Sequence, residues 1–170
     1  MSAVQRLVGL EPGLTHTGWG IVESRGDQLR FVAAGRVTTT RDRTLSWRLD
    51  ELYRALAAII VEHRPSAAAV EETVVNVNAG SSLKLGQARG VVLLAAAHAG
   101  LDVHEYASKT VKRALVGTGG ADKAQVATMV QRLLPAAGAV RADAADALAV
   151  ALCHANHAAT AAKLAAGRPR

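Results

Sequence analysis

Apolar and polar positions change period several times along the chain, and each change marks an element. The first apolar run, Leu7-Val-Gly-Leu10, is continuous, as in a strand covered on both faces. It stops at Glu11-Pro12-Gly13, since Pro and Gly do not continue a central strand. Small and hydroxyl residues then predict a tight turn and a second strand near Gly18–Ser24. After Arg25-Gly26-Asp27 a third strand follows over Gln28–Thr38, completing an antiparallel meander. From Thr44 the period lengthens. Leu45, Leu49, Leu52, Leu56, Ile59 and Ile60 recur at helical spacing and predict a helix to His63, ended before Pro65.

Ala67–Val70 reads as a short buried strand with Glu71 at its end. Ser81 or Ser82 is placed to cap a helix that reaches about Ala99 and stops at Gly100. Leu101–Glu105 predicts a last strand, and Ser108 a cap for a helix over Lys109–Leu115. Gly117-Thr-Gly-Gly120 breaks that helix, Asp122–Leu134 forms another, and the final helix runs from Ala142 to about His157. The order βββ-α-β-α-β-ααα predicts an α/β fold, a mixed sheet with helices on both faces. Residues 1–157 are expected to form one domain and residues 158–170 a flexible basic tail.

Composition refines this picture. Half of the 170 residues are hydrophobic but only 3% are aromatic, so packing rests on small aliphatic side chains and close helix approach. The single cysteine, Cys153, excludes an internal disulfide and fits a reducing compartment. The longest apolar run, Val91–Ala97, falls far short of the ~18 residues that suggest a membrane span. With no N-terminal signal pattern, a soluble cytoplasmic protein is expected. The net charge of +6 is uneven: residues 86–170 carry ten Lys/Arg against five Asp/Glu. A basic half around a few acids suggests a polyanionic partner.

The acids fall at telling places. Glu11 and Glu71 each end a strand, at the edge where ligands bind open α/β sheets. Asp143 and Asp146 share one face at the start of the last helix, among small apolar residues. Four carboxylates at one edge repel unless a cation sits between them. Hard divalent cations favour oxygen ligands, and the scattered histidines offer no zinc site. Of these, His154 lies a turn or two past Asp146 on the same helix, where it can approach the acids. Two Mg²⁺ ions within a basic surface suit phosphodiester hydrolysis, with phosphates held by Lys84, Arg89, Lys109, Lys112, Arg113 and Lys123.

Several stretches carry a resemblance to a known family: Leu-Glu-Pro-Gly at 10–13, Ala-Val-Glu at 69–71, Ser-Leu-Lys-Leu-Gly-Gln-Ala-Arg-Gly at 82–90 and Ala-Asp-Ala-Ala-Asp-Ala-Leu-Ala at 142–149. Over nearly all of residues 6–157 the chain resembles the crossover junction endodeoxyribonuclease RuvC family. The resemblance implies a ribonuclease H-like fold, with three antiparallel strands followed by two parallel ones. It implies a homodimer, joined through the helix at 82–99, that nicks two strands of like polarity at four-way DNA junctions. It also implies Mg²⁺, with Mn²⁺ as a substitute, and work beside a branch-migration motor. Glu71, Asp143 and Asp146 match the family's catalytic acids, and Lys112 and Lys123 match basic positions near its active site. Two positions depart from the pattern: Glu11 stands where the family has Asp, and Val74 where it often has an aromatic. Two alternatives stay open, a junction-binding protein whose catalysis Glu11 impairs, and an actin-like nucleotide-binding ATPase using the Glu11–Thr17 turn.

Overall fold

The computed structural model describes residues 3–72 and 78–166; Val74 lies outside them. The strands are β1 (Gln5–Glu11), β2 (His16–Arg25), β3 (Gln28–Thr38), β4 (Ala67–Glu71) and β5 (Asp102–Tyr106). The helices are α1 (Leu45–His63), α2 (Ala79–His98), α3 (Ser108–Val116), α4 (Lys123–Leu133) and α5 (Ala142–Ala166). The sheet order is β3-β2-β1-β4-β5, with β1, β2 and β3 antiparallel and β4 and β5 parallel to β1. The expected five-stranded mixed sheet is therefore present.

Side-chain alternation along β1 divides the molecule into two cores. Val8 and Leu10 point to one face and pack with Leu52, Leu56 and Ile60 of α1 and Ala88 and Val92 of α2. Leu7 points to the other and packs with Leu148 and Leu152 of α5. Each fully buried leucine contributes about 1.5–3 kcal/mol relative to exposure. Gly9 and Glu11 share the parity of Leu7, and Glu71 on β4 shares that of Ala69, which also packs against α5. Both strand-end acids thus face α5.

Glycine permits α5 to lie directly on β1 and β2. A Cβ at Gly9 would stand 2.0 Å from the Ala147 carbonyl oxygen, and one at Gly18 would stand 1.9 Å from that of Asp143. At Gly20 it would meet the Leu148 side chain at 2.6 Å. Ala147 and Ala151 on the facing side of the helix are fully buried.

Some element ends differ from expectation. Asn78, rather than a serine, caps α2, its side chain accepting from the Ser81 amide at 3.0 Å. An Asx oxygen one turn earlier reaches the same free amides. Ser108 is the first residue of α3 and makes no cap bond. Asp122 does cap α4, in a reciprocal box with Gln125. The last helix continues past His157 to Ala166, because 158–166 is rich in alanine and Lys163 reaches back to Asp27 at 2.8 Å.

On α5 and β5 the rings pair off: His154 stacks on His104, and His157 stacks on Tyr106. His154 is 7% exposed, its ring lies 4.2 Å from that of His104, and its Nδ1 is 2.8 Å from the Tyr106 hydroxyl. Burial, with His104 and His157 nearby, pulls the His154 imidazole down to about 4. Below an unfolded value of 6.5 the unfolded chain takes a proton that the folded chain refuses, so stability falls as pH drops from about 6.5 toward 4. In this window His154→Gln should flatten the pH dependence of urea unfolding, by up to about 1.4 kcal/mol per pH unit. Equal slopes in the two proteins would show that His154 charges freely.

Candidate active site

The site begins where β1 and β4 end side by side. Their parallel register sets Leu10 beside Val70, which brings Glu11 and Glu71 to adjacent strand ends. The turn after Glu11 is clamped by Thr17, which is fully buried. Its hydroxyl donates to the Gly13 carbonyl at 2.6 Å and accepts from the Gly13 amide at 3.2 Å. That amide is engaged within the turn and is not free to cradle a phosphate.

The first turns of α5 and the starts of α3 and α4 close over these ends. They enclose a cavity of about 100 Å³ lined by Glu11, Glu71, Asp146, Ser108, Lys112 and Lys123, on an apolar floor that includes Val111 and Val126. Lys123 Nζ donates to Asp146 Oδ2 at 2.8 Å. Ser108 lies beside Glu71 on the lining.

The acids shape one another's charge. Burial pushes the Glu11 carboxyl up to about 8; Asp146 and Glu71 add to the rise, and Lys123 opposes it. Burial also raises Glu71, against the nearby Ser108 hydroxyl, which favours its charged form. Asp146, through its hydrogen bond, holds the Lys123 ammonium above its ordinary value. Glu11 Oε2 is buried and has no hydrogen-bond partner. An orphaned acceptor beside two further carboxylates, with no sulfur or imidazole on the lining, fits a hard divalent cation. Among the described residues no three acid, imidazole or thiol groups converge as a ligand set, and Lys123 is paired with Asp146.

The sequence-predicted residues are not all brought together. Glu11, Glu71, Asp146, Lys112 and Lys123 line the cavity. Asp143 does not; it pairs with Arg36 of β3 at 3.3 Å. Lys84 is exposed on α2, while Arg89 is tied to Glu105 of β5. His154 packs against Tyr106 and His104 and does not line the acid cavity. Thr17, Ser108 and Arg36 were not singled out as site residues by sequence reasoning. No local pattern reveals Arg36, whose partner is 107 residues away. For Ser108, the nearness of a strand end was the available signal.

Comparison with known proteins agrees with this arrangement. The model of the family described as "Crossover junction endodeoxyribonuclease RuvC" matches residues 7–154. A protein of that name from Acidiphilium cryptum (strain JF-5) is 57% identical over 159 residues, covering 94% of this chain and 95% of its own. One from Gluconobacter oxydans (strain 621H) is 53% identical over 163 residues, covering 96% of this chain and 97% of its own. The solved structure of T. thermophilus RuvC in complex with a Holliday junction substrate superposes with a TM-score of 0.86 at 36% identity. That match covers 92% of this chain and 96% of the other.

Thr17→Val keeps the shape of the side chain and leaves the Gly13 amide and carbonyl unpaired. It should lower unfolding stability by about 1–3 kcal/mol in urea denaturation. An unchanged midpoint would show that the clamp contributes nothing.

Proposed function

Because the chain belongs to the RuvC family of crossover junction endodeoxyribonucleases, we propose that it is a Holliday junction resolvase. It acts as a homodimer that nicks two strands of like polarity at a four-way DNA junction, in recombination and repair. The observation that carries this reading is the buried, unpartnered Glu11 oxygen in a cavity with two further carboxylates and two lysines.

In this reading Glu11, Glu71, Asp143 and Asp146 are the catalytic acids and hold Mg²⁺, with Mn²⁺ as a substitute and two ions per site. When bound, such ions supply a water made acidic enough to attack a phosphodiester and stabilise the leaving oxygen. The chain's own residues do the rest. Lys112 and Lys123 draw the scissile phosphate over the acids, and Ser108 beside Glu71 favours its charged form. Lys84 extends the positive surface along the DNA backbone, and Arg89 joins it by exchanging Glu105 for a phosphate.

The dimer contact assigned to α2 is supported by its exposed apolar positions. Leu83 is 66% exposed and Leu94 57%, with Gly86 and Gly90 exposed between them on the same side. A four-way junction has two-fold symmetry, which a two-fold dimer matches. The branch-migration motor is the expected partner in the cytoplasm. Among the described residues no helix is long and apolar enough to cross a membrane.

Glu11 sets the expected metal preference. Its extra methylene, relative to Asp, moves the carboxylate by ~1.5 Å, and Mg²⁺ demands stricter octahedral geometry than Mn²⁺ does. Junction nicking should therefore be weak in Mg²⁺, stronger in Mn²⁺, and increased in Mg²⁺ by Glu11→Asp. Full activity of Glu11→Gln would remove Glu11 from the ligand set. Junction binding without nicking in either metal, in both the unaltered chain and Glu11→Asp, would favour a binding-only protein.

A further inference from the structure

The register across three strands sets three residues in one row. Glu11 of β1 pairs with Gly18 of β2, and Gly18 pairs with Arg36 of β3. Residues opposite one another in a sheet share a face, so Glu11 and Arg36 both rise toward α5 with only a glycine between them. At a strand spacing of about 4.8 Å their backbones stand roughly 10 Å apart. The first turn of α5 rests on that glycine, with the Asp143 carbonyl oxygen 1.9 Å from where a Cβ of Gly18 would be. Asp143 therefore starts above the middle of the row, with a carboxylate to one side and a guanidinium to the other.

Its side chain goes to the guanidinium. Arg36 Nη1 donates to Asp143 Oδ2 at 3.3 Å, and the two side chains are only 26% and 33% exposed. The cavity is left with Glu11, Glu71 and Asp146. Electrostatics explains the choice. A fourth carboxylate in the cavity would add to a repulsion that already raises Glu11. A divalent cation reverses the sign of that interaction.

We propose that Arg36 is a positioning residue that holds Asp143 clear of the acid cavity and yields it as an oxygen ligand when a divalent cation enters. The proposal rests on the metal-site reading given above. Arg36 acts only through Asp143, so it competes with the cation for that carboxylate and tunes how tightly the cation is held.

Mn²⁺ binding to the full chain without DNA, followed by the loss of the free-ion electron paramagnetic resonance signal, tests this without recourse to activity. Arg36→Gln should bind Mn²⁺ about two- to fivefold more tightly, the range expected for release of a partly exposed ion pair. Arg36→Lys keeps a cation within reach of Asp143 and should stay near the unaltered chain. Asp143→Asn should weaken binding. Adding Arg36→Gln to Asp143→Asn should then change nothing further, because the pair is already broken. A gain from Arg36→Gln that persists beside Asp143→Asn would overturn the proposal, since it would be a through-space charge effect. So would unchanged binding in Arg36→Gln while Asp143→Asn still weakens it. Failure of the unaltered chain to bind Mn²⁺ would instead defeat the metal-site reading itself.

Discussion

Contact between the backbone of α5 and the backbones of β1 and β2 is the constraint on which the rest depends. On one face of the sheet Gly9 and Gly18 let the helix backbone rest on the strands, and Gly20 makes room for the Leu148 side chain. Alanines on the helix complete the close approach, with Ala147 and Ala151 fully buried. A helix held this closely cannot slide or rotate without losing contacts along its whole length. Its position fixes where Asp146 enters the cavity and where Asp143 meets Arg36. The same packing seats Leu148 and Leu152 in the core. Stability and site geometry therefore rest on the same surface.

Against that fixed frame the acids are held in an unfavourable state. Glu11 is buried beside Glu71 and Asp146, and one of its oxygens lacks a partner. Two cationic side chains limit the repulsion, Lys123 on Asp146 and Arg36 on Asp143. The Ser108 hydroxyl beside Glu71 also favours that acid's charged form. Buried charge without full pairing is costly, and a fold retains it where ligand binding supplies the missing counter-charge. The basic side chains around the rim give that site a polyanion to act on.

Much of this was legible in the sequence, for identifiable reasons. Strand ends are marked by Pro12-Gly13 after Glu11, and α1 is marked by its leucine spacing, since both signals are local. The meeting of Glu11, Glu71 and Asp146 followed from placing acids at strand ends and at a helix start. The diversion of Asp143 to Arg36 was not legible, because it depends on a register shared by three strands and on a partner 107 residues away. The Thr17 clamp and the place of Ser108 beside Glu71 were missed because hydroxyl residues suit turns and caps equally well. The extent of α5 was underestimated because an alanine-rich segment has no apolar stripe to show that it stays helical beyond the core.

The central claim is that glycine contact beneath α5 places the acids, and Gly18→Ala tests it most directly. The added Cβ would meet the Asp143 carbonyl at 1.9 Å, so the start of α5 must lift or shift. Overpacking of this kind costs about 1–3 kcal/mol. Nicking of a synthetic four-way junction in Mn²⁺ is the measurement, made on protein shown to be folded by circular dichroism and to bind the junction. The account predicts at least about a tenfold loss of nicking rate with binding retained, since a misplacement of about 1 Å near the chemistry can cost about a hundredfold. A folded Gly18→Ala protein that nicks at the unaltered rate would contradict it.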